Sequence, residues 1–568
     1  MPSRFWKIVF FATFVLLFIG HTIPLIDPDM WWHIAIGQDI LRTGHLPAVD
    51  TYSHTMFGQP WHYPDWLGGV LLALLYQLGG VPGLILGISA VFTLIYVVLW
   101  DLCRSMGMDI RWWPVTAFSL HYSLALFTLG RPQTFGFLFF AIVLWLLVKS
   151  RKEHPHWLFW IPVVQILWIN THRSALLTPC LLLAALVLGE KGDRKRTLWV
   201  FALSCLATAV HPDVRRLLTA SVPLFTNPEW RQHVSEWAAL SPKFFLMIYA
   251  TLLVSVVLLG LTAIHRPRLF KDCRTELVFG LLLFVVGFRH NRMLAFSSVA
   301  LVPLAFHRLC LVPSRRLVKI SFAYSVLLVG SLIFSWWAPA GAVQWKRYMV
   351  GWGVSARFPK AAADLIQEEL PGSRLFNVLE DGGYLLFRLR GESKVFVDGR
   401  TFILYPMSIT MESVEALSSR ASWDRITREH DIDVAVLPMR DPDRFASFLS
   451  GDPRWPVVFF DDYHVVHVRS DRLAEHPGLN PLTGVDLREP LQSMRRLKRT
   501  DPKAFRRLRT ALSAYAMLAP GSFKIAVLRA FTADLDHDYA EERVLLNQAL
   551  KVNPNYDFGR ERLRNLPN

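Results

Sequence analysis

Two aspartates stand just past the first hydrophobic run of this chain, in "LIDPDMWWHIAIGQDILRTGHLP", residues 25–47. They are Asp27 and Asp29, and Trp31, Trp32 and His33 follow them. A carboxylate at the edge of a bilayer can take the proton of an attacking hydroxyl, or hold a divalent cation. The tryptophans can anchor the loop at the interface or stack on a sugar ring. Four arginines occupy very short breaks between later hydrophobic runs: Arg131 in "LGRPQTF", Arg173 in "WINTHRSALL", and Arg289 and Arg292 in "GFRHNRML". A guanidinium fork at the membrane edge suits a lipid-borne phosphate. The alternative is pairing with Asp27, Asp39 or Asp65. His172 can donate to that phosphate, move a proton, or simply end a helix. The same choice applies to His33, His54 and His62.

Elements must hold these groups in place, and the composition says which kind. Of 568 residues 52% are hydrophobic, with 39 Phe and 21 Trp. That is too apolar for a soluble protein and calls for membrane spans with aromatic belts. The net charge of +16 does not indicate nucleic acid, because cytoplasmic loops of membrane proteins collect Lys and Arg. Apolar runs predict helices near 5–25, 82–103, 112–130, 133–149, 157–170, 174–189, 197–210, 243–264, 275–288, 293–310 and 317–338. Segment 65–80 is too short to cross a bilayer core of roughly 30 Å. With that segment along the outer surface, the cytoplasmic side carries more than twice as many Lys and Arg as the outer side; making it a span reverses the ratio. The reading is therefore eleven spans, a cytoplasmic N-terminus that is not a cleaved signal, and an outer C-terminal region. The first half of hairpin 157–189 covers only about 21 Å. Its polar tip, Asn170 to Arg173, then lies below the outer surface, which requires protein or water around it.

The organisation predicted is a transmembrane domain, 1–340, carrying an acidic outer loop with amphipathic helices at 26–81. An α/β domain follows at 341–470, then a polar linker at 471–500 and a helical tail at 501–568. "FPKAAADLIQEEL" reads as an amphipathic helix; "SRLFNVL", "YLLFRL", "KVFVDG", "DVAVLPM", "PVVFFDD" and "YHVVHVR" read as strands. "ALKVNPNY" in the tail looks like a tetratricopeptide repeat, a module that could recruit a protein partner. Asp381, Asp398 and Arg400 are turn residues with a structural ion pair, or contact substrate. The five cysteines show no metal-type spacing and none follows Cys310. No phosphate loop, dinucleotide fingerprint, nucleophile elbow or zinc pattern is present.

The first span followed by Asp and an aromatic amphipathic helix, "ILRTGHLP", and "GQPWHYPDW" together resemble the GT-C superfamily of membrane glycosyltransferases. That group includes protein O-mannosyltransferases, the aminoarabinose lipid A transferase and the RgtA/B/C/D-like bacterial proteins. The resemblance covers most of 1–470. It implies a polytopic helical protein of the cytoplasmic membrane that passes a sugar from a polyprenyl-phosphate donor to a lipid, glycan or protein acceptor at the outer face. It puts the catalytic base on Asp29, with Asp27 as second choice. Arg131, Arg173, His172, Arg292 and Arg289 become donor-phosphate ligands, and His62 and Tyr63 fall where relatives keep polar residues. Relatives often carry a second acid where this chain has Arg131. That departure favours direct phosphate binding by arginine over a two-carboxylate metal site, and leaves a divalent cation open. A non-catalytic scaffold for envelope assembly and a lipid-linked glycan transporter are the alternatives.

Overall fold

The computed structural model describes residues 3–219, 242–337, 351–439 and 447–567. The change of character expected near Ala338–Gly341 lies outside them. Two compact units are distinguished: residues up to Asp27 with 36–46 and 63–354 form one, and 28–35, 47–62 and 355 onward form the other.

The first unit is helical, and each of the eleven apolar runs is occupied by helix. Trp66–Ser105, Pro132–Lys152, Arg292–Cys310 and Arg315–Phe334 are long and apolar enough to cross a membrane. Tyr249–His265 and Pro267–Gly287 add a fifth if counted as one span, bent by 117°. The short segment 65–80 is continuous with the run after it, but the Trp66–Ser105 helix breaks at Gly79 and Gly80. Gly80 has φ +57, a conformation that only glycine adopts readily. Beyond the break the chain folds back: a Cβ added at Gly83 would lie 2.6 Å from the Leu75 carbonyl oxygen. The helix packs along Pro132–Lys152. Gly37 meets it near its start, where an added Cβ would be 2.2 Å from Gly69 O. Two glycines let these backbones touch.

Inside this unit a polar cluster ties the first helix to the segment before Pro132. His21 Nδ1 hydrogen-bonds with Thr128 Oγ1 at 2.6 Å and its Nε2 with Tyr96 OH at 2.9 Å. His121 Nδ1 lies 3.1 Å from the same Nε2. All four residues are buried, so the groups satisfy one another where water is absent.

The second unit is built on a four-stranded sheet, β1 Leu375–Asn377, β2 Val434–Pro438, β3 Val457–Phe460 and β4 His464–Val468, in the order β1-β2-β4-β3. β1 and β2 are parallel; the other pairs are antiparallel. Four of the six predicted strands and the Lys360–Glu369 helix are present. "YLLFRL" instead lies in the Leu379–Leu389 helix. Its paired glycines explain the change, because they allow close backbone contact: a Cβ at Gly382 would meet Val397 O at 1.9 Å, and one at Gly383 would meet Pro28 O at 2.4 Å. "KVFVDG" is extended and held by isolated bridges, Ser53 to Val395 and Arg374 to Lys394. Part of the acidic loop therefore belongs to this unit rather than to the membrane unit. Nor is 471–500 a solvated linker. Leu479, Leu482, Val485, Met494 and Leu497 are buried, and the segment ends in the Pro490–Thr500 helix. Helices continue through Asn565.

Candidate functional site

Two helix starts and a helix junction converge in the membrane unit. A Cβ placed on Gly68 would lie 2.5 Å from Pro132 Cβ and 2.7 Å from Thr171 O. One placed on Gly136 would lie 2.7 Å from Ser174 Oγ and 3.6 Å from His172 Nδ1. The starts of Trp66–Ser105 and Pro132–Lys152 thus touch the junction after Ile161–Thr171. The Trp66 indole adds a hydrogen bond to Asn170 Oδ1 at 2.9 Å.

The charged side chains of these breaks pair here. Arg131 precedes its helix in extended backbone, with Pro132 at the first helical position, where a missing N–H costs nothing. Its guanidinium donates to Asp27 through Nε (2.5 Å) and Nη2 (2.7 Å). The Asp27 side chain is 2% exposed and that of Arg131 12%. Asp65, directly before Trp66, receives the Arg173 main-chain N–H at 3.2 Å and its Nη2 at 3.4 Å. Asp65 too is buried. His172 Nδ1 accepts the Ser174 amide at 3.1 Å and lies 2.7 Å from Ser174 Oγ, which itself accepts the Trp168 indole N–H. An Nδ1 that accepts an amide carries no proton, so the neutral ring holds its proton on Nε2. The charges of Asp65, Arg173 and Arg292 all act on this imidazole. Arg292 is half-buried at the start of Arg292–Cys310. Arg289 is exposed and, among the described residues, makes no ion pair. Five of the predicted residues therefore meet in one unit: Asp27, Arg131, His172, Arg173 and Arg292. Asp65 joins them.

The first-choice base is Asp29. It opens the Asp29–Thr43 helix and falls in the second unit. There a Cβ on Gly399 would be 1.9 Å from its Oδ1 and 2.7 Å from Trp32 Nε1. The helix begins between the two acids, so Asp27 and Asp29 leave the chain in different surroundings. Trp31 is 1% exposed and packs against Phe358, Tyr384 and Phe387 with ring centroids 5.0–5.7 Å apart. That is a core position and cannot present a ring to a sugar. Trp32 is buried and stacks on His33 at 3.6 Å. His62 is half-buried and Tyr63 buried.

Asp398 and Arg400 form the centre of the second unit's core. Arg400 donates to Asp398 (2.8 and 2.6 Å) and to Asp50 (2.5 Å), with all three side chains fully buried. Tyr405 OH adds a bond to Asp398 at 2.7 Å, and the guanidinium lies 5.0 Å from the Trp61 ring centroid. Nothing local in "AVDTYS" marks Asp50 as the partner of a residue 350 positions away. Asp381 is also buried, with Oδ1 3.2 Å from His464 Nε2.

No group of three or more His, Cys, Asp or Glu among the described residues could hold a metal ion. At the junction each carboxylate already faces a guanidinium that balances its charge. This donor set does not fit a divalent cation.

No protein-family model matches the chain, and no curated protein does. Solved structures do. ArnT from Cupriavidus metallidurans, bound to undecaprenyl phosphate, matches with a TM-score of 0.52 at 15% identity, over 82% of this chain and 98% of that one. The archaeal oligosaccharyltransferase AglB from Archaeoglobus fulgidus, in complex with an inhibitory peptide and a dolichol-phosphate, matches with a TM-score of 0.53 at 10% identity, over 100% of this chain and 87% of that one. Both belong to the GT-C superfamily of membrane glycosyltransferases. The chain has the GT-C fold. Within that fold the Asp27–Arg131 and Asp65–Arg173 pairs occupy the junction just described, and no family model supports the repeat expected in the tail.

Proposed function

We propose that this GT-C chain transfers a sugar from a polyprenyl-phosphate-linked donor to an envelope lipid, glycan or protein acceptor. Two buried Asp–Arg pairs converging at one helix junction carry the reading. The ligands of the fold neighbours, undecaprenyl phosphate and dolichol-phosphate, support the donor class. The protein would lie in the cytoplasmic membrane with its N-terminus inside and its second unit outside, as the distribution of Lys and Arg favours.

The reaction is an inverting displacement. A donor phosphate draws Arg131 from Asp27, and Arg173, Arg292 and the His172 Nε2–H add positive character around it. Asp27, released from its ion pair, takes the acceptor O–H proton. The acceptor oxygen bonds to the anomeric carbon as the bond from that carbon to the phosphate oxygen breaks, and the leaving phosphate keeps the electron pair. General-base help of this kind is worth about 10²–10⁴ in rate. Cations placed where charge develops supply a further large term. Asp27 replaces Asp29 as the base because it faces the arginines within one unit.

The same pairing favours one other reading. Two Asp–Arg staples could simply hold a non-catalytic scaffold together. Native mass spectrometry of co-purifying lipids separates the two. Asp27→Asn should retain a polyprenyl-phosphate sugar that wild type has consumed. No isoprenoid on either protein, with the fold intact, would overturn the transferase reading.

A further inference from the structure

The C-terminal helices carry charge that the membrane site does not use. Pro490–Thr500 and Pro502–Leu518 are consecutive and packed together. Their sequence, "PLQSMRRLKRTDPKAFRRLRT", places Met494, Leu497, Ala504, Phe505 and Leu508 inward. At helical spacing this turns Arg495, Arg496 and Arg499 outward on the first helix, and Lys503, Arg506 and Arg507 on the second; all six are exposed. None of the six forms an ion pair among the described residues.

Their neighbours show that this is not the general state of the unit. Lys498 and Arg509, one step inward, both pair with Asp536, and Arg509 also reaches Glu541. Asp536 and Glu541 are thus committed to the inner cations, while Asp501, between the two helices, accepts the Ala504 N–H. Six like charges within two helix lengths repel one another and are relieved by a bound polyanion.

A groove of about 470 Å³ opens beside them, lined by Asn480, Thr483, Asp501, Arg507 and Thr510 among others. Its wall is closely built. Gly484 has φ +76, and a Cβ there would strike Leu497 Cδ1 at 2.7 Å. One cation of the patch, Arg507, is also a groove residue, so charge and hydrogen-bonding side chains are continuous. Among the described residues of these two helices the exposed large apolar side chains are Leu491 and Met517, at the outer ends of the patch. A helix that docks on a bilayer would mix apolar residues with its cations along its length; here the six cations are contiguous and the exposed apolar residues stand only at the two ends.

We propose that this face binds an anionic glycan, its carboxylate or phosphate groups on the arginine rim and one of its sugars in the groove. The patch would hold the glycan acceptor, or the growing product, of the transferase reading above, and it rests on that reading for the choice of a glycan.

The test uses the full chain in phosphatidylcholine nanodiscs, with an oligogalacturonate as probe. Poly-glutamate, a neutral oligoglucan and phosphatidylglycerol vesicles are the comparisons. The oligogalacturonate should bind, the neutral glycan should not, and affinity should fall about tenfold from roughly 50 to 200 mM salt. The triple variant Arg499→Ser/Lys503→Ser/Arg507→Ser should lose binding, while Arg428→Ser, an exposed cation elsewhere in the unit, should keep it. Vesicle binding without glycan binding would overturn the proposal in favour of a membrane contact. Poly-glutamate held as tightly as the glycan, or no ligand held at all, would overturn it too. If the glycan fails while Asp27→Asn still retains a donor lipid, this proposal falls and the transferase reading stands.

Discussion

Removing Asp27 alone should damage both stability and chemistry, and removing Arg131 with it should repair only the first. In the pair a carboxylate 2% exposed meets a guanidinium 12% exposed through two short hydrogen bonds. Asp27→Ala strands the Arg131 charge in a site closed to most water. Breaking a buried pair from one side costs about 3–5 kcal/mol. The residual access of Arg131 puts the expected loss near the low end, about 3 kcal/mol. Asp27→Ala/Arg131→Ala removes the stranded charge, so a double-mutant cycle should return a coupling of about 2 kcal/mol. Stability would be read by titrating the protein with SDS in mixed micelles. Transfer would be read as release of polyprenyl phosphate, and should stay at least about 10²-fold down in both variants because neither has a base. A double variant that regained transfer would refute the role given to Asp27. A single variant costing under about 1 kcal/mol, the worth of an exposed pair, would refute the burial argument.

Other perturbations test the second unit. Gly399→Ala should destabilise it by about 2 kcal/mol or more, since the new methyl would overlap the Asp29 carboxylate; overpacking costs of this size are typical. Thermal unfolding of the full chain would report the loss, and an unchanged midpoint would contradict the packing. Arg400→Met should cost about 3–5 kcal/mol or prevent folding, because Asp50 and Asp398 would be left charged and fully buried; limited proteolysis of the unit would show it. His467 donates Nδ1–H to Trp455 O at 2.8 Å, and burial lowers its pKa from 6.5 to about 4. A lowered histidine leaves the unfolded chain holding the extra proton between those values. Its contribution is therefore complete above pH 6.5 and shrinks as pH falls towards 4, by about 2 kcal/mol at pH 5. His467→Leu should flatten that part of the stability–pH profile, and an unaltered slope would exclude His467 as its source.

Much of this protein was legible in its residues. Each apolar run became a helix because an apolar stretch satisfies its backbone hydrogen bonds within the segment, although among the described residues only four of these helices, or five with the bent pair, are long and apolar enough to cross a membrane. The shortness of 65–80 was visible as a length mismatch, but its continuity with the next helix and the break at Gly79 and Gly80 came from the structure. Strands β1 to β4 followed from short β-branched runs bounded by turns, and Arg131, Arg173 and Arg292 stood out as cations in short breaks between apolar runs, with the roles proposed above. What the residues could not determine was which carboxylate faces which cation. Asp27 and Asp29 are two positions apart and chemically alike; only the start of a helix between them sends one to Arg131 and the other to Gly399. "YLLFRL" has a strand's composition, yet the glycines before it admit a helix against Val397 and Pro28. Asp50 meets Arg400 across 350 residues. Local patterns record which groups are costly to leave in water or lipid. Which partner relieves that cost depends on how distant backbones pack, and only the tertiary structure decides it.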